Sequence, residues 1–477
     1  MNVRTRMAPS PTGEMHVGSL SISLKNYAFA RKHNGKFVLR IEDTDKTREI
    51  DNGVELIQQI LKKYSIAWDE GPGVGGDKGP YIQSQRLDLY TKYAHQLIDD
   101  GKAYYCFCTS ERLEELRDNQ RANKIPPKYD GFCKSLSKQE VETKINNMEP
   151  HVIRLDVPKD QEVTFNDLIR GEITFNSSTI DDQILIKSDG YPTYHMAVVV
   201  DDHLMEISHI MRGEEWISST PKHILLYQAF NWGLPVFAHI PIYLNPDGKG
   251  KMSKRKGTVS AQSFLDRGYL PEALLNFFMI LGWAREDEVE IMTMDEYIQL
   301  FDPKDVSPKS VVFDLKKLNW INGMYIRKLS VNQLKEKINQ YLPADFPLEK
   351  IDLILPLIQE RLETLADIDE LTGFLYRDIM PETNSLLKKS DSEQVNHELD
   401  MTIEALSELD SKDWSVESIE QSVRKLATDN QWKPGQYFMM LRIASTGSKA
   451  TPPLFDTLHV IGQELLISRL IKAKTLI

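Results

Sequence analysis

Cysteine is scarce: the chain has three in 477 residues, an odd number. That argues against a disulfide-built scaffold and predicts a reducing, cytoplasmic setting. No apolar run is long enough to span a bilayer, and no N-terminal apolar stretch precedes a cleavage site, so no membrane role is expected. Internal repeats and low-complexity tracts are lacking too. So is any excess of positive charge: 58 Lys and Arg face 70 Asp and Glu, a net charge of −12. This excludes a bulk electrostatic nucleic-acid binder but leaves room for a local basic face. The length suits roughly two to four domains around a large core.

The densest chemistry lies near the start, where residues 6–20 read Arg-Met-Ala-Pro-Ser-Pro-Thr-Gly-Glu-Met-His-Val-Gly-Ser-Leu. Val3 to Met7 predicts a strand, two prolines and Gly13 a tight loop, and Ser19 to Ala30 a helix with Leu20, Leu24 and Tyr27 on one side. Strand, loop and helix N-terminus together present free backbone N–H groups and a positive dipole end to phosphate. His16 sits at the mouth of that helix as a candidate phosphate donor, and Gly18 permits close approach of a flat ring. A plain Pro/Gly turn with an idle histidine is the alternative. A second stretch, Asp247 to Thr258, packs Lys249, Lys251, Lys254, Arg255 and Lys256 among three glycines. It reads as a solvated loop, a nucleic-acid patch, or a mobile clamp that closes on polyphosphate.

Along the chain, Phe37 to Ile41 predicts a second strand ending in Glu42-Asp43-Thr44-Asp45, acids at the strand end where open α/β sheets bind ligands. Helical spacing at Ile57, Ile60, Leu61 and Tyr64, and again from Tyr90 to Ile98, completes a strand–helix alternation typical of a parallel, doubly wound sheet. The glycine-rich stretch from Gly71 to Gly79 lacks a preceding strand and a Gly-Lys-Ser/Thr ending, and reads as a linker. Between about Tyr104 and Asp189 charged helical sequence gives way to strand-like pieces, as in an insertion. Asp189-Gly190 predicts a hairpin joining Ile184–Ile186 to a strand from Tyr194 to Val200. Pro271 to Leu281 predicts a helix opening on proline. From about Leu329 only helical spacing remains, as at Ile354, Ile358, Leu362 and Leu365, and a separate all-helical domain is expected.

Taken together, the two chemical stretches resemble the paired signatures of class I aminoacyl-tRNA synthetases. His16-Val17-Gly18-Ser19 resembles the His-Ile-Gly-His motif, and Lys251-Met252-Ser253-Lys254-Arg255 the Lys-Met-Ser-Lys-Ser motif, in that order and more than 200 residues apart. The resemblance covers essentially the whole chain and narrows to glutamyl-tRNA synthetases of bacterial or organellar type. It is carried by Arg6 to Gly13, Arg40 to Asp45, Asp189 to His195, Val200 to His203, Arg212 to Trp216, Ser219 to Pro221 and Lys317 to Trp320. It implies an α/β fold: a Rossmann-type parallel-sheet catalytic domain (1–103 and 190–322), an inserted α+β acceptor-stem domain (104–189) and an all-helical anticodon-binding domain (323–477).

The residues implied to act suit the substrate. L-glutamate carries two carboxylates and one ammonium. Arg6, with Tyr194, is expected on the side-chain carboxylate, Arg212 as a second cation, Glu42 on the ammonium, and Ser10 and the Ala8 backbone completing the pocket. His16 and Lys254 are the implied catalytic pair, and Gly18, Ser19, Lys251, Ser253, Lys254 and Arg255 the implied ATP contacts, with Mg²⁺ accompanying ATP. Arg361 and Arg442 fall where the family reads the anticodon. If Arg361 discriminates, the partner is tRNA(Glu) alone; otherwise tRNA(Gln) joins it. A monomer is expected by family. One position departs: many relatives have Asn where this chain has Val198, which offers no side-chain hydrogen bond.

The three cysteines fall in one region. Cys106-x-Cys108 with a later Cys133 suggests Zn²⁺, which takes four ligands in structural sites. Some relatives supply His where this chain has Ser135, a poor ligand, whereas a related tRNA-modifying transferase uses a tyrosine at the place of Tyr129. Cys106, Cys108, Tyr129 and Cys133 are therefore the expected set, against three thiols holding no metal. Three other readings of the chain differ at defined features. The tRNA-modifying transferase lacks the helical tail. An RNA-binding or regulatory paralogue would not need the ATP residues. A small-molecule nucleotidyltransferase would not need Arg6, Glu42 or the tail.

Overall fold

The structure is a computed structural model that describes residues 2–45, 47–252, 259–283, 289–387 and 390–477. It divides into two compact units, residues 1–264 with 274–315, and residues 265–273 with 316–477.

The first unit opens with β1 (Arg4–Met7), α1 (Val17–Lys32), β2 (Lys36–Leu39), α2 (Gly53–Lys63) and α3 (Leu87–Asp99). There follow β3 (Ala103–Cys106), α4 (Ser110–Ala122), α5 (Lys138–Asn146), β4 (Val152–Leu155), β5 (Glu162–Asp167), β6 (Gly171–Asn176) and β7 (Ile184–Ile186), then α6 (Tyr194–Leu204), β8 (His209–Gly213), α7 (Thr220–Ala229) and β9 (Val236–Ile240). β1 pairs parallel with β2, and β8 with β9. The two pairs meet where the Ser208 N–H donates to the Arg4 carbonyl at 3.0 Å. The β5–β6 hairpin joins the far edge of β9, and β3, β4 and β7 form a separate antiparallel sheet. Residues 104–189 thus feed both sheets.

β1 is buried along its whole length although it carries two arginines. Each is matched by an acid: Arg4 bonds Glu70 through both terminal nitrogens at 2.9 Å, and Arg6 faces Asp202. α1 is apolar or small on nearly every side because it is covered all round, and its Asn26 amide donates to the Met211 carbonyl of β8 at 3.0 Å.

The expected hairpin after β7 closes only partly. Lys187 and Gly190 make the turn, with Lys187 N–H to Tyr191 C=O at 2.8 Å, and one antiparallel bridge joins Ile186 to Pro192. Proline has no N–H to extend the ladder. Thr193 then takes the N-cap position, and Tyr194 to Leu204 is a helix, not a strand. The valine run at 198–200 is overruled by burial on every side of that helix.

In the second unit no strand occurs among the described residues. Amphipathic helices such as Ser392–Ser407, Val416–Asp429, Pro434–Thr446 and Gln463–Lys474 bury Leu399, Val423, Leu441 and Leu470 at helical spacing.

Candidate active site

The carboxyl ends of β1, β2 and β8 and the start of α6 surround a cavity of about 660 Å³. Arg6, Ala8, Ser10, Glu42, Tyr194 and Arg212, far apart in sequence, all line it. Beneath the cavity runs a buried ion network. Arg40, fully covered, bonds Glu42 at 3.0 Å and Asp202 at 2.7 Å and lies 3.7 Å from Asp201. Arg6 Nε stands 3.2 Å from Asp202, and Arg86 Nε 2.7 Å from Asp201. Arg6, Arg40 and Arg86 thus face Glu42, Asp201 and Asp202, charge for charge. Burial opposes the Asp202 carboxylate, yet Arg40 and Arg6 hold it below the usual range. Burial wins at Glu42 and raises it against the pull of Arg40. Glu42 uses only one oxygen on Arg40, so the other is available to a cation in the cavity.

Arg212 stands outside this matched set. It is 5 % exposed, and among the described residues no carboxylate lies within ion-pair distance. Its partners are His239 Nε2 at 3.2 Å, His223 Nδ1 at 3.2 Å and Thr220 Oγ1 at 2.9 Å, donated from Nε and the two terminal nitrogens. Burial lowers its pKa below the ordinary arginine value. Tyr194 packs on Trp216 with ring centroids 4.3 Å apart, and burial pushes its phenol up to about 12. Val198 is sealed in the apolar core and does not line the cavity.

A second cavity of about 370 Å³ adjoins the first and shares Ser19, Ile22, Gly213 and Glu215 with it. Its other walls are His16, Gly18, Ile240, Pro241, Ile242, Tyr243, Lys251 and Met252: apolar along the β9 end, polar at the start of α1. His16 is the N-cap of α1, and its Nδ1 accepts the Gly18 N–H at 2.9 Å. That bond fixes the neutral tautomer with the proton on Nε2. A Cβ on Gly18 would come within 3.1 Å of His16 Nδ1, so this glycine makes room for the cap itself, not only for a ligand. A Cβ on Gly213 would stand 2.2 Å from the Glu215 carboxylate. Lys251 pairs with that carboxylate at 3.2 Å. Ser253, Lys254 and Arg255 lie outside the described residues.

The three cysteine sulfurs lie within 4.8 Å of one another. Tyr129 Oη stands 3.4 Å from Cys106 Sγ and 3.3 Å from Cys108 Sγ, and Cys108 and Cys133 sulfurs are 3.5 Å apart. Ser135 is exposed and spends its hydroxyl on the Phe132 carbonyl. In the second unit Arg361 is exposed, while Arg442 is half-buried and held by the Thr451 and Pro452 carbonyls. Burial lowers the Arg442 pKa and the nearby charge of Arg361 lowers it further, so the two arginines share one neighbourhood.

Sequence reasoning gave no role to Glu215 and Trp216, although both belong to the quoted stretch Arg212 to Trp216. It also passed over Lys187 in the first cavity, the apolar wall of the second, and the two histidines on Arg212.

A parallel sheet with adjoining cation-lined and apolar cavities at its carboxyl edge, followed by a helical unit, is the architecture of a class I tRNA synthetase. Residues 2–320 match the family described as tRNA synthetases class I (E and Q), catalytic domain, and residues 333–474 match the anticodon binding domain. Glutamate–tRNA ligases of Dehalococcoides mccartyi strain CBDB1 and of Finegoldia magna are each 43 % identical to this chain; both alignments cover 99 % of it, and 97 % and 99 % of the relatives. The crystal structure of a glutamate tRNA ligase from Elizabethkingia meningosepticum in complex with its amino acid superposes with a TM-score of 0.89 at 35 % identity, covering 100 % of this chain and 99 % of that one. The chain belongs to the glutamate–tRNA ligase family.

Proposed function

We propose that the larger cavity holds L-glutamate and the adjoining one ATP, and that the shared wall of Ser19, Ile22, Gly213 and Glu215 is where they react. The contiguity of the two cavities carries this reading. The chain is a glutamate–tRNA ligase, with ATP, glutamate and tRNA(Glu) as its substrates. Arg212 and Arg6 take the glutamate side-chain carboxylate, backed by Tyr194, and the unused oxygen of Glu42 takes the ammonium. The adenine ring lies against Ile240, Ile242 and Met252. An oxygen of the α-carboxylate attacks the α-phosphorus in line, and the bond to the leaving pyrophosphate breaks. The His16 Nε2–H and the α1 N-terminus stabilise the charge that develops on phosphate oxygens. Lys254 is assigned to the departing pyrophosphate, with Lys251, Ser253 and Arg255 on the same ligand and Mg²⁺ accompanying it. The hydroxyl of the terminal adenosine of tRNA then attacks the acyl carbon, and AMP leaves.

The donor set at Cys106, Cys108, Tyr129 and Cys133 fits Zn²⁺. Tetrahedral coordination at about 2.3 Å puts sulfurs about 3.8 Å apart, close to the spacing seen. Bound there, the metal would tie β3 to the Tyr129–Cys133 loop, a structural role remote from the reaction. Arg361 and Arg442 read the anticodon, two neighbouring cations suited to splayed bases and phosphate. A monomer working in the cytoplasm completes the reading; among the described residues no helix is long and apolar enough to cross a membrane.

Charging of purified tRNA(Glu) and tRNA(Gln) with radiolabelled glutamate, ATP and Mg²⁺ tests the assignment. Charging of tRNA(Glu) alone is expected, and Arg361→Ala should then admit tRNA(Gln). Charging of neither would remove the ligase reading.

A further inference from the structure

Arg212 lies in a chain of three histidines whose tautomers the structure determines. Arginine only donates hydrogen bonds. His239 Nε2 and His223 Nδ1, each 3.2 Å from Arg212, must therefore be bare acceptors. The proton of His239 then sits on Nδ1, 2.6 Å from Asp167, whose carboxylate also accepts the His239 backbone N–H at 3.0 Å. The proton of His223 sits on Nε2 and is given to His195 Nδ1 at 3.0 Å. Thr220 Oγ1 accepts from Arg212 at 2.9 Å and donates to the Trp216 carbonyl at 2.9 Å. Every one of these three acceptors on Arg212 is thus neutral, and the acid at the end of this hydrogen-bond chain, Asp167, is held one imidazole away. The other arginines of the site pair directly with carboxylates.

We propose that His223 and His239 are positioning residues for amino-acid specificity: they hold the Arg212 fork by hydrogen bonds without cancelling its charge, which is thereby kept for the substrate carboxylate. This rests on the assignment of Arg212 to glutamate. An acidic residue at either place would orient the guanidinium as well and hold it more tightly, but would compete with the substrate for it. Three of the five guanidinium N–H groups are used by the cage, which leaves one on each terminal nitrogen for Tyr194 and a substrate carboxylate. Burial, then the Arg212 charge, keeps His223 far below the ordinary histidine value, so it stays neutral at working pH.

The test is glutamate-dependent ATP–pyrophosphate exchange by the full chain with tRNA present. KM for glutamate, KM for ATP and kcat are measured at neutral pH. The amide oxygen of asparagine mimics a histidine Nδ1 and that of glutamine an Nε2. His223→Asn and His239→Gln should keep the glutamate KM within about threefold of the parent. His223→Leu and His239→Leu should raise it at least about tenfold with the ATP KM unmoved. His223→Asp should raise it as much as leucine does, although it offers Arg212 a stronger bond. Thr220→Asp against Thr220→Asn repeats that comparison from another side should His223→Asp not fold. Aspartate variants with the glutamate KM of their asparagine counterparts would overturn the proposal. Arg212→Leu separates it from the underlying reading: an unchanged glutamate KM there would refute the Arg212 assignment, whereas a raised KM beside a normal His223→Leu would refute the cage alone.

Discussion

Replacing Arg212 by lysine keeps a positive charge and removes the fork, so it isolates what the geometry contributes. A guanidinium here makes three bonds to the cage and has two further N–H groups, which the proposed reading gives to the substrate carboxylate. A lysine ammonium has three donors on one atom and cannot span His239, His223 and Thr220 while also reaching two carboxylate oxygens. Each charge-assisted hydrogen bond is worth about 1.5–3 kcal/mol, and lysine retains about one of the two to the substrate along with part of the Coulomb attraction. The loss in kcat/KM for glutamate should be about 2–4 kcal/mol, roughly 30- to 1000-fold. It should appear mostly in the glutamate KM, because the group binds a part of the substrate that does not react. Arg212→Met, with no charge left, should fall further. Both variants leave cage nitrogens without a donor, which costs stability, so exchange kinetics are measured well below the melting transition and normalised to folded protein. A lysine variant within threefold of the parent would refute the reasoning, as would a loss confined to kcat.

Arg40→Met should destabilise the first unit by about 3–5 kcal/mol, because Glu42 would be left as an unpaired buried carboxylate and Asp202 would keep only Arg6; urea denaturation would show it, and an unchanged midpoint would contradict the ion network. His195 is held down at about 4 against an ordinary value of 6.5, by burial first and by Lys222 and Arg212 next, so the unfolded chain takes up a proton that the folded chain refuses. The stability carried by its neutral form is complete above the ordinary value and is lost as pH falls toward about 4, amounting to about 2 kcal/mol between about pH 7.5 and about pH 5. His223, faced by Arg212, His195 and His239, adds in the same direction, and a flat urea midpoint over that range would refute both. Gently purified protein should contain one equivalent of zinc, and Cys133→Ser should abolish it; a metal-free parent by elemental analysis would remove the zinc site.

The N-terminal stretch was legible because its chemistry is local: a strand, a proline-bounded loop and a helix start place Arg6, Ser10 and His16 on adjoining cavities through short-range rules. Glu42 was legible for the same reason, as an acid just past a strand end. The helix at Tyr194 was misread because the turn signal at Asp189-Gly190 is genuine, and the turn forms. What decides the next element is Pro192, which ends the ladder, and Thr193, whose extended backbone at the N-cap position and hydroxyl bonded back to the Ile184 carbonyl set the start of a helix that the valine run would not by itself favour. The histidine cage had no sequence signal at all. Its members lie on β9 and α7, their order along the chain carries no spacing rule, and only the packing of the folded unit brings them to one guanidinium, on β8.

That packing also explains how an unbalanced charge is tolerated in a buried site. Arg6 and Arg40 are stabilised inside the protein by acids and contribute to the fold whether or not substrate is present. Arg212 has no such direct partner: its hydrogen-bond acceptors are neutral and Asp202 acts on it only through space, so burial still lowers its pKa and a carboxylate bound there would stabilise the site. On the proposed assignment, glutamate supplies the missing negative charge. Glutamine has the same shape and hydrogen-bonding reach but no charge, and leaves Arg212 uncompensated. On this proposal, discrimination between the two comes from the cost of a buried cation left without a partner, and a cage of neutral histidines preserves that cost.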